Sequence, residues 1–465
     1  MKKLRILVVL LLVVVLVLPF LVGFEIENRY RGILAEFEAA GYQLDKHEFQ
    51  RGFYQSSSES VLSVPVNVPN AEIKSLSVTI KSQLQHGPYN LNGWQGWLTQ
   101  ISTNLFYDGQ ALVPGTNASA IVTTIEFNSN GRTLIDIPAL EKPARLENNL
   151  TFEFSGANGS IDFNLVAGSM DIKLVSNGLN FYESGKGRID IGKISLNSNS
   201  QRGLSELMLG SGVFIIDAVR INDIATGFKL GLQTVKIDAD TVANGSNVDF
   251  VANYGFQKLT IDANSDAQQY GPALLSLEMK SIPAEVIARL QENIRELQQK
   301  QVPPQQQGMA VMGVMMSVLP AVMEQNPQFN IPKFSLQTPQ GLVTANLSLK
   351  AQDMKVTDLG AAPLMVEKLL GKAELSLPEN LVRQMMKGMA RQQIMQGLKR
   401  RNNAEPVTAK QLKQLVDQQV DSQLEMVLRQ GFIEKNGDKL QSSASLKAGL
   451  LSVNGKMIPL AEMAK

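Results

Sequence analysis

The chain has 465 residues, 44% of them apolar, with 44 Lys and Arg against 43 Asp and Glu for a formal net charge of +1. It holds no cysteine and two histidines, which excludes thiol catalysis, thiolate metal sites, lipidation at a cysteine and a disulfide-held fold. A charge this close to zero carries no nucleic-acid signature.

Lys2, Lys3 and Arg5 precede an unbroken apolar run from Ile6 to Phe24. As a helix that run reaches roughly 28 Å, close to the thickness of a hydrocarbon core. The expectation is a transmembrane anchor over 1–25 that contacts a bacterial inner membrane through residues 4–24. Its basic flank stays cytoplasmic, and the bulk of the chain is periplasmic. A cleaved signal peptide is the competing reading, but only Gly23 is small near the exit.

The region 26–280 is read as β-rich, and from about 56 to 280 the dominant signal is period-two alternation. Leu76, Val78, Ile80 and Leu84 fall on one strand face, and Ser75, Ser77, Thr79 and Lys81 on the other. Further strands are predicted over 120–127, 149–154, 160–166, 171–175 and 188–196. Asn158-Gly159, Asn177-Gly178 and Asn244-Gly245 read as hairpin turns. The region 281–465 completes the same body with helices and hairpins. Ile287, Leu290, Ile294 and Leu297 stand at helical spacing, and two more helices are expected at 378–401 and 407–430. A hairpin is read over 329–350 and final strands near 438–447 and 449–454. The expected fold class is α+β: an N-terminal transmembrane helix, then a long-stranded, twisted antiparallel β-sheet. Helices from the C-terminal half pack on its apolar face.

Several short stretches, taken in order, resemble the YdgA/YihF family of bacterial inner-membrane-anchored periplasmic proteins without an assigned function. They are Arg51-Gly52-Phe53-Tyr54-Gln55-Ser56, His86-Gly87-Pro88, Asn92-Gly93-Trp94, Tyr270-Gly271-Pro272, the Pro332 to Leu349 hairpin and Val453-Asn454-Gly455-Lys456. The resemblance implies a β-rich, membrane-tethered body. It supplies no reaction, so Arg51, Gly52, His86, Gly87, Pro88, Gly271, Pro272, Asn454 and Gly455 are read as structural positions.

Catalytic signals are weak. His47-Glu48 lacks the second histidine of a zinc helix, and His86 reads as a strand end before a Gly-Pro turn. Asp262, Asn264 and Asp266 open like a calcium loop, but Ala267 and Ala273 stand where Gly and Glu belong. No nucleophile elbow, S-x-x-K motif or phosphate-binding loop is present in the sequence. No cofactor, metal or catalytic residue is assigned, and the expectation is a protein that is not an enzyme.

Two surfaces stand out. The uncharged stretch 309–323 carries Met309, Met312, Met315, Met316 and Met323, either as a buried core helix or as an adaptable apolar surface. Arg383, Lys387 and Arg391 line one helix side, as a solvated face or a contact to anionic lipid headgroups. Trp94 and Trp97 allow a similar interfacial reading. The leading functional expectation is noncatalytic binding of a hydrophobic ligand, such as lipid, or an envelope protein partner in a groove between sheet and Met-rich helices. A self-associating structural or assembly factor of the envelope is the alternative, and a hydrolase of envelope polymers is the third reading.

Overall fold

The computed structural model describes parts of 27–38 and the span 43–460 apart from 66–74, 88, 91–92, 95, 108–109, 112–118, 141–143, 146–149, 264–265, 300–303 and 401–407. Strands dominate, and every ladder named below is antiparallel. Two units interleave along the chain: Met1–Leu230 with Ile287–Met315, and Gly231–Val286 with Met316–Lys465.

In the first unit the ladders pass in order through Gln43–Gln50, Gln55–Pro65, Ser75–His86, Thr99–Tyr107, Ile121–Ile125, Asn130–Ile137, Ala157–Asn164, Ser169–Ser176, Ile194–Arg202 and Met208–Asp223. Beyond the first of these ladders no register slips. Directly opposite residues share a face of the sheet. The Ser and Leu positions of one strand therefore stand on the same side as the Ile and Phe positions several strands away.

Three of these strands continue across a two-residue break. Leu150–Phe154 precedes Ala157–Asn164, Leu179–Glu183 follows Ser169–Ser176, and Gly187–Ile191 precedes Ile194–Arg202. The breaks are aligned across the sheet. Ser155 N–H donates to Gly178 O at 2.9 Å, Asn177 N–H to Gly156 O at 2.9 Å, and Gly192 N–H to Ala218 O at 2.8 Å. Apolar positions shift by one across this line, from Phe152 and Phe154 to Ile161 and Phe163, and from Ile172 and Leu174 to Leu179 and Phe181. An unbroken strand would turn the two sets to opposite faces, because the side-chain period is two. The break sits where the pattern changes phase.

Two of the three Asn-Gly pairs expected as turns do not reverse the chain. Asn177-Gly178 forms part of the break, where Gly178 has φ 124°. Asn158-Gly159 lies inside a strand, and a Cβ on Gly159 would stand 2.1 Å from Lys173 O. Only Asn244-Gly245 makes a hairpin turn, between Lys229–Asn244 and Asn247–Phe256. In the other two, glycine serves close backbone approach instead of reversal.

The second unit's ladders run through Lys229–Asn244, Asn247–Phe256, Ala273–Pro283, Gln328–Thr338, Gly341–Ala351, Leu369–Pro378, Lys439–Lys447, Leu450–Val453 and Lys456–Pro459. The expected helices form at Ala284–Gln299, Glu379–Arg400 and Ala409–Gln430, and the methionine-rich stretch is a helix over Pro304–Met323. Their packing corrects the expected α+β arrangement. Glu379–Arg400 and Ala409–Gln430 pack on each other around Ala390, Val416 and Val420, with Met386, Ile394 and Leu412 against that cluster. The buried apolar residues of this cluster are shared between the two helices. The fold is a large antiparallel β-structure with few helices.

The membrane placement is corrected with it. Among the described residues no helix is long and apolar enough to cross a membrane. The longest helices carry charges throughout, and Pro304–Met323 is diluted by three glutamines and two glycines. Residues 1–25, where the anchor was expected, lie outside the described residues. Single-pass placement in an inner membrane with a periplasmic bulk is thus without structural support.

Gly178 tests the role of the break. A Cβ there would stand 2.8 Å from Ile191 O, at a φ that L-residues rarely adopt. Gly178→Ala should destabilise the chain by about 1–3 kcal/mol, read as a lowered urea midpoint at constant far-UV circular dichroism.

Candidate functional site

Two pieces of the sequence that carry the family resemblance meet at one point. His86 ends its strand beside Tyr54, with its N–H donating to Tyr54 O at 2.8 Å. Ser56 Oγ lies 2.8 Å from His86 Nε2 and accepts the Gly52 N–H at 3.3 Å. A hydroxyl has two lone pairs, so either the serine or the imidazole can be the donor in the Ser56–His86 bond. His86 Nδ1 is buried and has no hydrogen-bond partner among the described residues. The surrounding glycines are fixed by contact: a Cβ on Gly52 would stand 2.1 Å from Gln55 O, and one on Gly87 2.1 Å from Trp97 O.

A serine 2.8 Å from a histidine is the beginning of a nucleophile–base pair, but this one lacks the other parts. Among the described residues no carboxylate orients Nδ1, and Ser56 and His86 are 2% and 0% exposed. The floor around them is unusually polar for an interior. Ser58, Ser60, Ser82 and Thr99 are all buried. His47 Nδ1 reaches Ser60 Oγ at 3.0 Å. Tyr30, in the helical stretch within 27–38, stacks on His47 with 5.9 Å between ring centres and puts its hydroxyl 3.3 Å from Ser82 Oγ. That stretch covers this end of the sheet, with Leu34 buried beneath it and Glu27 3.6 Å from Arg51.

Farther along the same face, chemistry and burial both change. Ile121, Ile135, Leu174, Leu196 and Phe214 follow one another across successive ladders, as do Ile161 with Ile172 and Phe163 with Met170. Between Ile121 and Glu206, among the described residues, no apolar side chain is fully buried; the buried positions are Gly131, Gly156 and Gly178. The face is half-buried throughout. Its apolar side chains keep part of their surface in solvent. Charged partners of the same strands, such as Arg132 with Asp162, take the opposite parity and the opposite face. There they line a shallow depression of about 540 Å3 with Asp171 and Asn199.

The residues singled out in the sequence are dispersed. Met309, Met312, Met315 and Met316 are 71%, 67%, 56% and 62% exposed, and Met323 is half-buried. This helix presents methionine to its surroundings and does not form a core. Arg383 pairs with Glu379 at 2.7 Å and with Asp421, and Lys387 pairs with Asp417 at 2.7 Å, so these cations staple the helical hairpin. Lys435 and Arg383, hydrogen-bonded to Glu379, hold its carboxyl below the usual range. Arg391 is exposed. Gly271 N–H donates to Gln337 O at 2.8 Å, and Gln337 N–H to Pro272 O at 3.1 Å, which ties that motif to the neighbouring strand. Asn454 and Gly455, with φ 47° and 80°, form the turn between Leu450–Val453 and Lys456–Pro459. Pro88 and Asn264 lie outside the described residues, as does the side chain of Trp94, while Trp97 is half-buried.

Ser56 was visible only as the last letter of a resembling stretch, and its partner is thirty residues away. The apolar face had a signal, namely period-two alternation through many strands.

Burial lowers the affinity of both imidazoles for a proton; for His47 the Arg31 guanidinium adds to this and Glu27 opposes it. Folded stability is therefore complete above the unfolded-state value of 6.5 and falls as pH drops below it, where only the unfolded chain takes up protons. The urea midpoint should decrease between about pH 7.5 and about pH 5, and His86→Asn should flatten that decrease.

Comparison with known proteins gives no match to a curated protein and none to a solved structure. A family model, described as bacterial protein of unknown function, matches residues 1–461. The chain belongs to this uncharacterised bacterial family, DUF945.

Proposed function

We propose that the protein is a noncatalytic binder of extended apolar chains, which lie over the half-buried face of the first unit. One observation carries the reading: a sheet face rich in Ile, Leu and Phe in which no apolar side chain from Ile121 to Glu206 reaches full burial among the described residues. Water over such a field is displaced favourably, by about 25 cal/mol for each Å2 of apolar surface covered. A chain laid across the strands needs no pocket, and the shallow, charge-lined depression on the other face does not compete for it.

Full-length protein titrated with a pyrene-labelled alkyl chain tests this. Binding should saturate, and Leu174→Asp, which puts a charge in the middle of the field, should weaken it by roughly tenfold or more. Asp171→Asn, on the opposite face, should leave it unchanged. Equal binding by all three proteins would sink the reading.

Docking of an apolar protein surface, including a second copy of the chain, has separate support in the exposed Met309, Met312 and Met315. Unbranched, polarizable methionines conform to varied partners. If this helix mediates self-association, light scattering of full-length protein should show a mass that rises with concentration. Replacing the three methionines by serine should abolish that rise. A single mass at all concentrations in the parent chain removes self-association.

A further inference from the structure

The helix Pro304–Met323 carries no charged side chain, and three of its methionines are grouped. Met315 and Met316 follow Met312 by three and four residues, and all three are exposed. Helix neighbours at these two spacings stand about 5–6 Å apart at Cβ. Long helical side chains lean over the turn that precedes them, which carries the thioethers of Met315 and Met316 toward Met312. Ala310, Val314, Val318 and Ala321, on the opposite side of the helix, are the less exposed positions. The sulfurs thus stand together on the solvent side, and three rotatable bonds in each chain let them adjust to a shared centre.

Thioether sulfur is a soft, neutral ligand that selects Cu(I), whereas Mg, Ca and Mn are suited by carboxylate or carbonyl oxygen and Zn by imidazole or thiolate. The helix offers no His, Asp or Glu. Among the described residues no three such side chains gather into a group able to hold a metal ion. The chain has no cysteine to compete for a soft ion. Three neutral ligands on an uncharged helix leave the charge of the ion uncompensated, which a monovalent ion tolerates better than a divalent one. Met385 and Met389 are also exposed and one turn apart. Their third methionine, Met386, packs against the Ala390 cluster instead, and their helix carries Arg383, Lys387 and Arg391. We propose that Met312, Met315 and Met316 bind a soft monovalent cation, Cu(I).

Anaerobic full-length protein titrated against the coloured bicinchoninate–Cu(I) complex tests this. The parent chain should withdraw a single Cu(I). Met312→Leu keeps size and apolarity but removes the sulfur common to both spacings. It should weaken binding by about tenfold or more, while Met385→Leu combined with Met389→Leu should leave binding unchanged. A parent chain that withdraws no copper overturns the site, as does a Met312→Leu protein that binds like the parent. Loss of binding in the Met385 and Met389 variant overturns the assignment to this helix. Leucine preserves the apolar surface, so the copper site can fail while the pyrene-labelled chain still binds, and the reverse.

Discussion

A side chain in an antiparallel sheet shares its face with the residue directly opposite, so a ladder that keeps its register passes the chemistry of one strand to the next. From Gln55 to Ile216 the first unit is a succession of such ladders without a slip. One shift anywhere would exchange Ile172 with Asp171, or Leu174 with Lys173, and scatter ionic groups through the field. The apolar face and the segregation of Arg132 and Asp162 to the other side both rest on that register.

Two different solutions to burial coexist in the chain. The helical hairpin of the second unit closes on itself, with Val420 fully buried and the interhelical pairs Arg383–Asp421 and Lys387–Asp417 on its flank. Pairs this exposed contribute little each, but they fix which turn of one helix meets which turn of the other. The first unit instead keeps its interior small. Between Ile121 and Glu206 its buried described positions are glycines; elsewhere it buries the Ser/His floor beneath Tyr30 and Leu34, together with Ala120 and Leu207.

The alternation of Leu76, Val78, Ile80 and Leu84 made the strand and its inward face legible in the sequence, and helical spacing located three helices to within a residue or two. Periodicity says which side of an element is apolar, however, and not what comes to cover it. That is why the expected layer of helices on the sheet did not follow. The Asn-Gly pairs failed for a related reason. Glycine answers several backbone demands, and only the neighbouring strand decides whether Gly159 relieves a contact with Lys173 or turns the chain. Ser56 and His86 were hidden because nothing local announces a partner thirty residues distant.

The half-buried face has a consequence for how this sequence can change. Jigsaw interiors tie each residue's volume to its neighbours, so that a lost methylene leaves a hole and an added one a clash. Along the meander there is no such enclosure. Ile, Leu, Val, Phe and Met should exchange at small cost at positions 161, 172, 174 and 196, provided that alternation and the glycines at 156 and 178 persist. What such a sheet must inherit is a rhythm and a few hinges, and the identity of each apolar letter is free to drift.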